Sequence, residues 1–262
     1  MFPQLSTFLG LENQLTLPPP GTCIAVCDQE RQPVPRPQGS FIQLHLLTLF
    51  LRAKHPCVFF SLTDNYTHLR VIAAKCGFGL QSYADSGQLK HLSGMTVADP
   101  IPTEGAADVS VSHSALPHPG AVLKDLALSL SEIRIKFPEK APCVVVEDLS
   151  VLLDLGWDVH ELFAMMRSLR SLVSDGTLVF YSTSAEDCES EEAVLSSFLF
   201  HFADWFLETS GLRSGSSSTI DGQLNIRIRN TTRPGVSVKT CHYKVQERRI
   251  QFFAPGTSSG IL

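Results

Sequence analysis

Several features that would mark a membrane, secreted or metal-binding protein are missing from this sequence. No run of about 18 apolar residues exists, so we expect no membrane-spanning helix and no membrane partner. The first residues lack a basic start followed by an apolar block, so secretion is not indicated. The seven cysteines are an odd number without a pair of CxxC motifs, and five lie in or beside apolar runs. These features predict a reducing, intracellular location and no metal site.

Signatures of catalysis are missing as well. The nine histidines show no HExxH spacing, and no GxSxG motif occurs. After the first predicted strand, where a phosphate-binding loop (P-loop) would sit, residues 28–40 read DQERQPVPRPQGS. No lysine separates Gly39 from Ser40, and three prolines remove amides that a phosphate would need. We therefore predict a degenerate P-loop, no bound cofactor and no enzymatic activity.

What the sequence does contain is an alternation of strand and helix patterns. Leucines at spacings of three and four residues predict amphipathic helices. Between these helices, apolar segments predict buried strands of a parallel sheet: CIAVC (23–27), PCVFFSLTD (56–64), CVVV (143–146) and GTLVFYST (176–183). Residues 222–254 lose the helical pattern, and QLNIRIRN (223–230) alternates between apolar and polar residues. We predict a single α/β domain over 1–262, with a mostly parallel central sheet flanked by helices and extended by antiparallel C-terminal strands.

One segment, about 93–120, interrupts this alternation. It holds four prolines and no aromatic residue, so it cannot bury enough apolar surface to offset the entropy lost on ordering. We predict that this segment is a mobile insertion.

Two carboxylates follow the strand predicted at 143–146. Glu147 and Asp148 stand where P-loop nucleotidases place the acid that holds magnesium, which favours a metal site or a water-activating site. Alternatively, Asp148 caps the following turn by accepting hydrogen bonds from backbone amides near Ser150. Asp64, at the tip of the second strand, could likewise be catalytic or could cap the next helix. Because magnesium relies on substrate phosphates as ligands, we interpret Glu147, Asp148 and Asp64 as vestigial magnesium-site positions.

The net charge of −5 conceals an uneven distribution. From Gly222 to Phe253 there are seven basic residues and one acidic residue, a local charge of +6, so the remainder carries −11. Such a tail can present a cationic face to a polyanion, although charges on edge strands also prevent aggregation. The candidate phosphate contacts are Arg213, Arg227, Arg229, Arg233, Lys239, Lys244, Arg248 and Arg249. Aromatic stacking partners are few, so we predict contact with a nucleic-acid backbone without readout of the bases.

Four blocks of the sequence carry a family resemblance: MFPQLSTFL at the start, VVVEDLSVLLDLG (144–156), GTLVFYSTSAEDCESEE (176–192) and YKVQERRIQFFAPGTSSGIL (243–262). Together they resemble the Elongator complex protein 6 family. The resemblance implies a RecA-like fold in a hetero-hexameric ring with two paralogous RecA-like Elongator subunits, attached to the remaining Elongator subunits. It also implies a non-catalytic subunit, because the ring binds tRNA while another subunit modifies the wobble uridine. The implied location is the cytoplasm, with the nucleus as a second location.

Two alternatives stay open at this point. A divergent ATPase would use Glu147, Asp148 and Asp64, and would bind ATP with magnesium as a single chain. A stand-alone RNA-binding module would use the cationic tail, and its RNA affinity would fall steeply with salt.

Overall fold

The computed structural model describes residues 2–11, 16–29, 39–63, 65–94, 118–184, 187, 189–212, 217, 219–229, 235–246 and 249–256. Four predicted site residues, Asp64, Arg213, Arg233 and Arg248, lie outside the described residues, as does most of the insertion predicted at about 93–120. Their roles stay predictions.

Within these ranges the chain forms one nine-stranded sheet. The strands are β1 (Cys23–Gln29), β2 (Cys57–Ser61), β3 (Leu89–Ser93), β4 (Cys143–Val146), β5 (Thr177–Ser184), β6 (Trp205–Ser210), β7 (Gly222–Arg229), β8 (Val236–Gln246) and β9 (Arg249–Phe253). Their order across the sheet is β3-β2-β4-β5-β1-β6-β7-β8-β9. Neighbours from β3 to β6 are parallel, and neighbours from β6 to β9 are antiparallel. The predicted mostly parallel sheet with antiparallel C-terminal strands is confirmed.

Helices accompany the parallel strands. They are α1 (Pro3–Phe8), α2 (Ser40–Arg52), α3 (Tyr66–Lys75), α4 (Gln81–Asp85), α5 (Pro119–Lys136), α6 (Ser150–Asp154), α7 (Val159–Leu172) and α8 (Glu191–Phe202). Local signals set several of their starts. Asp158 and Glu161 form a capping box at the start of α7, and α8 begins with two acids that favour its dipole. Among the helices that the structure describes, none is long and apolar enough to cross a membrane.

The helices lie in two layers, one on each face of the parallel strands. Alternate residues of β1 show this arrangement. Ile24 and Val26 belong to an apolar cluster that includes residues of α1, α2 and α3, whereas Ala25 belongs to a cluster with residues of α5 to α8. Burial on both faces explains why the parallel strands are unbroken apolar runs in the sequence.

The antiparallel strands have an apolar cluster on one face only. Leu224, Ile226, Cys241 and Tyr243 are buried in the first cluster, whereas the second cluster contains no described residue of β7, β8 or β9. The strand register places the intervening side chains together on the opposite side, which we call the outer face. Its members include Arg227, Arg229, Val236, Val238, Lys244 and Arg249. The alternation predicted from 223–230 is therefore confirmed.

Candidate functional site

Glu147 connects the carboxyl ends of two neighbouring parallel strands. It follows β4, which pairs with β2. Its Oε2 atom accepts hydrogen bonds from the Ser61 hydroxyl and, at 3.3 Å, from the Thr63 amide. A carboxylate that accepts such bonds joins the carboxyl ends of β2 and β4.

Asp148 has its carboxylate turned back onto the next helix. Its backbone has a φ of +30°, and its Oδ1 accepts hydrogen bonds from the amide of Ser150 (3.2 Å) and from the Ser150 hydroxyl. The Ser150 hydroxyl oxygen also accepts a bond from the amide of Thr183 at 2.8 Å. Burial raises the pKa of Asp148, and the bonds from Ser150 partly offset that rise. These contacts match the capping alternative for Asp148, while its vestigial magnesium role stays a prediction.

No group of three or more possible metal ligands is present in the part of the chain that the structure describes. This finding does not extend to Asp64, which lies outside those residues.

Asp28, which is not among the site residues predicted from the sequence, lies at the end of β1, where residues 28–40 begin. It lies in β1 with 3% of its surface exposed. Its carboxylate accepts hydrogen bonds from the amide of Gly39 (2.8 Å), the hydroxyl of Tyr181 (2.5 Å) and the hydroxyl of Thr209. Burial raises the pKa of Asp28 to about 6, despite the opposing effect of these bonds. The network joins β1, β5, β6 and the start of α2.

The bond to Gly39 has a particular meaning because Gly39 directly precedes α2. Amides at the start of a helix attract anions, and P-loop proteins place a nucleotide phosphate there. Here the anion is the carboxylate of Asp28. A Cβ atom at position 39 would stand only 2.3 Å from Asp28 Oδ1, so this close approach requires glycine. The only available signal in the sequence was an acid at the end of the apolar segment CIAVC.

A mostly apolar cleft of about 260 Å³ lies beside α2 and the β8–β9 hairpin. Phe41, Phe59 and Ile250 contribute to its walls, and Glu147 and Arg249 both line it. The structure therefore brings together one predicted magnesium-site residue and one predicted phosphate contact that are 102 positions apart in the sequence.

Arg227 and Arg229 hold the carboxyl end of α8. Both guanidinium groups donate a hydrogen bond to the carbonyl oxygen of Phe200, at 2.9 and 3.1 Å. The Arg227 guanidinium also lies 4.0 Å from the centre of the Phe200 ring. Desolvation, followed by the charge of Arg229, lowers the pKa of Arg227 below its ordinary value. The two cations stabilise α8 by interacting with the negative, carboxyl-terminal end of its dipole.

The other described candidates for phosphate contact also have partners within the chain. Lys239 lies opposite the outer face and donates to the carbonyl oxygen of Phe8 (3.1 Å). Lys244 forms an ion pair with Asp221 at 2.7 Å. Arg249 donates to the side-chain oxygen of Gln246. Contact of these residues with RNA stays a prediction.

Comparison with solved structures identifies the fold. A crystal structure of a KaiC-like protein from the hyperthermophilic archaeon Pyrococcus horikoshii matches with a TM-score of 0.59, over 90% of this chain and 91% of that chain. The sequence identity is 13%, so the similarity concerns the fold alone. Fold and site together define a RecA-like α/β protein in which the amide that precedes α2 donates to the chain's own Asp28 carboxylate.

Comparison of sequences identifies the family within this class. The chain belongs to the Elongation complex protein 6 family, whose model matches residues 2–247. It is 30% identical to Elongator complex protein 6 of Xenopus laevis over the whole of both chains. It is 28% identical to the human Elongator complex protein 6, over 97% of this chain and 100% of the human one. The family resemblance found in the sequence is confirmed.

Proposed function

We propose that this chain is a non-catalytic subunit of Elongator that holds tRNA during wobble-uridine modification. In this proposal it alternates with two paralogous RecA-like subunits in a hetero-hexameric ring, and the ring joins the remaining Elongator subunits in the cytoplasm and nucleus. Family membership over residues 2–247 supports the Elongator role. The observation that carries the non-catalytic role is the hydrogen bond from the Gly39 amide to the Asp28 carboxylate.

That bond bears on catalysis because phosphoryl transfer depends on positioning and charge neutralisation. A nucleotide phosphate at the start of α2 would compete with Asp28 for the Gly39 amide. The phosphate and the carboxylate would then lie beside the same amide, where two anions repel each other. The missing lysine between Gly39 and Ser40 removes the charge that would offset this repulsion. The arrangement supports a RecA-like frame used for assembly.

The outer face supports the proposed contact with tRNA. It presents Arg227, Arg229, Lys244 and Arg249 on strands that no described helix covers with an apolar layer. An arginine guanidinium has five N–H donors, so a bond to the Phe200 carbonyl leaves donors for a phosphate. Cations spaced along a sheet face suit backbone contact, which requires no readout of bases.

Assembly is the most direct test. The full chain is co-expressed with the two paralogous RecA-like Elongator subunits, and the product is weighed by native mass spectrometry. We expect a six-membered species containing two copies of each subunit. The chain expressed alone is the control, and a chain that stays monomeric in the presence of both paralogues contradicts the proposal.

A further inference from the structure

β8 is longer than β9, the strand that pairs with it on the side away from β7. It runs from Val236 to Gln246, whereas β9 pairs only with residues His242 to Gln246. On its other side, β8 pairs with β7 from Val236 to Tyr243. Among the described residues, the first half of β8 therefore has a strand neighbour on one side only.

The direction of the backbone groups in this half of β8 follows from a hydrogen bond of the neighbouring strand, β7. The Arg229 amide donates to the carbonyl oxygen of Asp204, beside β6, at 2.9 Å. Backbone groups alternate in direction along a strand, so the backbone N–H and C=O groups of Arg227 and Arg229 point towards β6. Their partners in the register, Val238 and Val236, consequently form non-hydrogen-bonded pairs with them. The N–H and C=O groups of Val236 and Val238 thus point away from β7, towards the open edge.

The side chains of the same two residues are exposed. Val236 is 47% exposed and Val238 is 68% exposed, and both lie on the outer face. A single exposed valine is ordinary on a protein surface. Two exposed valines on a strand edge combine apolar surface with backbone groups that can pair with another strand, a combination that proteins usually avoid.

We propose that the first half of β8, Val236 to Thr240, accepts an extended acidic segment of another Elongator subunit as an added strand. This inference rests on the proposed function, because it takes the partner from the same complex. The backbone N–H and C=O groups of an extended peptide segment can pair with those of the open edge of β8. Its alternate apolar side chains would cover the two valines.

Charge decides between a partner and a second copy of this chain. Lys239 lies on the same strand, between the two valines and Thr240, with its side chain on the face opposite the valines. An antiparallel pairing of two copies centred on Val238 would set two Lys239 side chains diagonally across the ladder, about 7–8 Å apart. An added segment with an acidic residue at that diagonal position would instead place a negative charge near Lys239.

Hydrogen exchange resolved at single amides tests the added strand. In the isolated chain, the Val236 and Val238 amides should exchange fast, whereas the Ser237 and Lys239 amides, which pair with β7, should exchange slowly. In the complex with the other Elongator subunits, Val236 and Val238 should exchange at least about tenfold more slowly. Protection at alternate residues distinguishes an added strand from a surface that is merely covered.

Each other outcome has a definite meaning. If Val236 and Val238 are already protected in the isolated chain at low concentration, the edge is not open and the inference is wrong. Protection that grows with the concentration of the isolated chain would identify a second copy and overturn the assignment. A complex in which both amides exchange freely contradicts the added strand alone, while failure to form any complex contradicts the proposed function as well.

A pair of variants gives an independent check. Val238→Pro removes an amide that points to the open edge without removing a bond to β7, and Val238→Thr keeps that amide. We expect Val238→Pro to weaken assembly with the other subunits about tenfold and Val238→Thr to leave it nearly unchanged. Equal assembly of the two variants overturns the inference. If the proline variant does not fold, the exchange pattern of the unaltered chain decides.

Discussion

The parallel and antiparallel parts of the sheet use their charged side chains differently. In the parallel part, Asp28, Glu147 and Asp148 each accept hydrogen bonds from neighbouring strands or turns. In the antiparallel part, Arg227 and Arg229 lie on the outer face and hold a single helix end. The two parts differ in what their charges hold: the acids join the ends of the chain's own parallel strands, and the two arginines hold the end of one helix.

The largest expected difference between the two parts concerns stability. Phe180 is fully buried in β5, so Phe180→Ala should lower the free energy of unfolding by about 3–5 kcal/mol. Val238→Ala on the outer face should change it by no more than about 0.5 kcal/mol. Urea unfolding of both variants measures this, and similar losses would mean that the antiparallel strands are as tightly buried as the parallel ones.

The second prediction concerns the pH dependence that Asp28 gives to the parallel part. Its pKa is about 6 in the folded chain, against an ordinary value of 3.8. Between pH 3.8 and about 6 the folded state therefore binds more protons at Asp28 than the unfolded state does. The stabilisation that Asp28 contributes below pH 3.8 is lost as the pH rises through about 6. The free energy of unfolding that is lost through Asp28 over this pH range is at most about 3 kcal/mol.

Asp28→Asn should remove this part of the pH dependence, and urea unfolding between about pH 4 and pH 8 measures it. The control is Asp125→Asn on the exposed side of α5, which should keep the slope of the unaltered chain. A slope that is the same in both variants would show that Asp28 does not titrate as described.

The third prediction concerns RNA contact by the antiparallel part. Reversing the charge of Arg227 and Arg229 to glutamate should weaken tRNA binding by the assembled ring about tenfold and reduce its salt dependence by about two released ions. Reversal of Arg134 and Arg167, which lie on α5 and α7, is the matched control. Filter binding over a range of salt concentrations measures both effects. Unchanged affinity in the Arg227 and Arg229 variant means that the predicted contacts are wrong.

The smallest expected effect returns to the parallel part. Glu147→Gln keeps the shape of the side chain but loses the charge that strengthens its bonds from Ser61 and Thr63, so the free energy of unfolding should fall by about 1 kcal/mol. Glu139→Gln, at an exposed position, is the control for urea unfolding. Saturable, magnesium-dependent ATP binding by the chain alone, abolished by Glu147→Gln, would contradict the proposed function and favour a divergent ATPase.

The sequence predicted the parts of this fold that have a strong local pattern. The central strands β1, β2, β4 and β5 are visible because burial on both faces makes them continuous apolar runs. The edge strand β3, Leu89–Ser93, was missed, since only Leu89 among its residues is buried and no alternation marks it. Helix α1 is six residues long, too short for a periodic pattern.

The site was less predictable for a different reason. The local bond between Asp148 and Ser150 could be anticipated because the two residues are only two positions apart in the chain. The partners Tyr181 and Thr209 lie 153 and 181 positions from Asp28, so only the folded sheet shows that they meet. The bonds of Arg227 and Arg229 to Phe200 likewise depend on how α8 packs against β7.

The bond between Asp28 and Gly39 has one further consequence. In a nucleotidase the start of the corresponding helix is loaded and unloaded as nucleotide is bound and released, so its position follows the supply of ATP. In this chain the counter-anion is encoded in β1 and cannot diffuse away. We expect α2 to keep one position at every concentration of ATP, which in the proposed ring would make this chain a spacer of constant length between its neighbours.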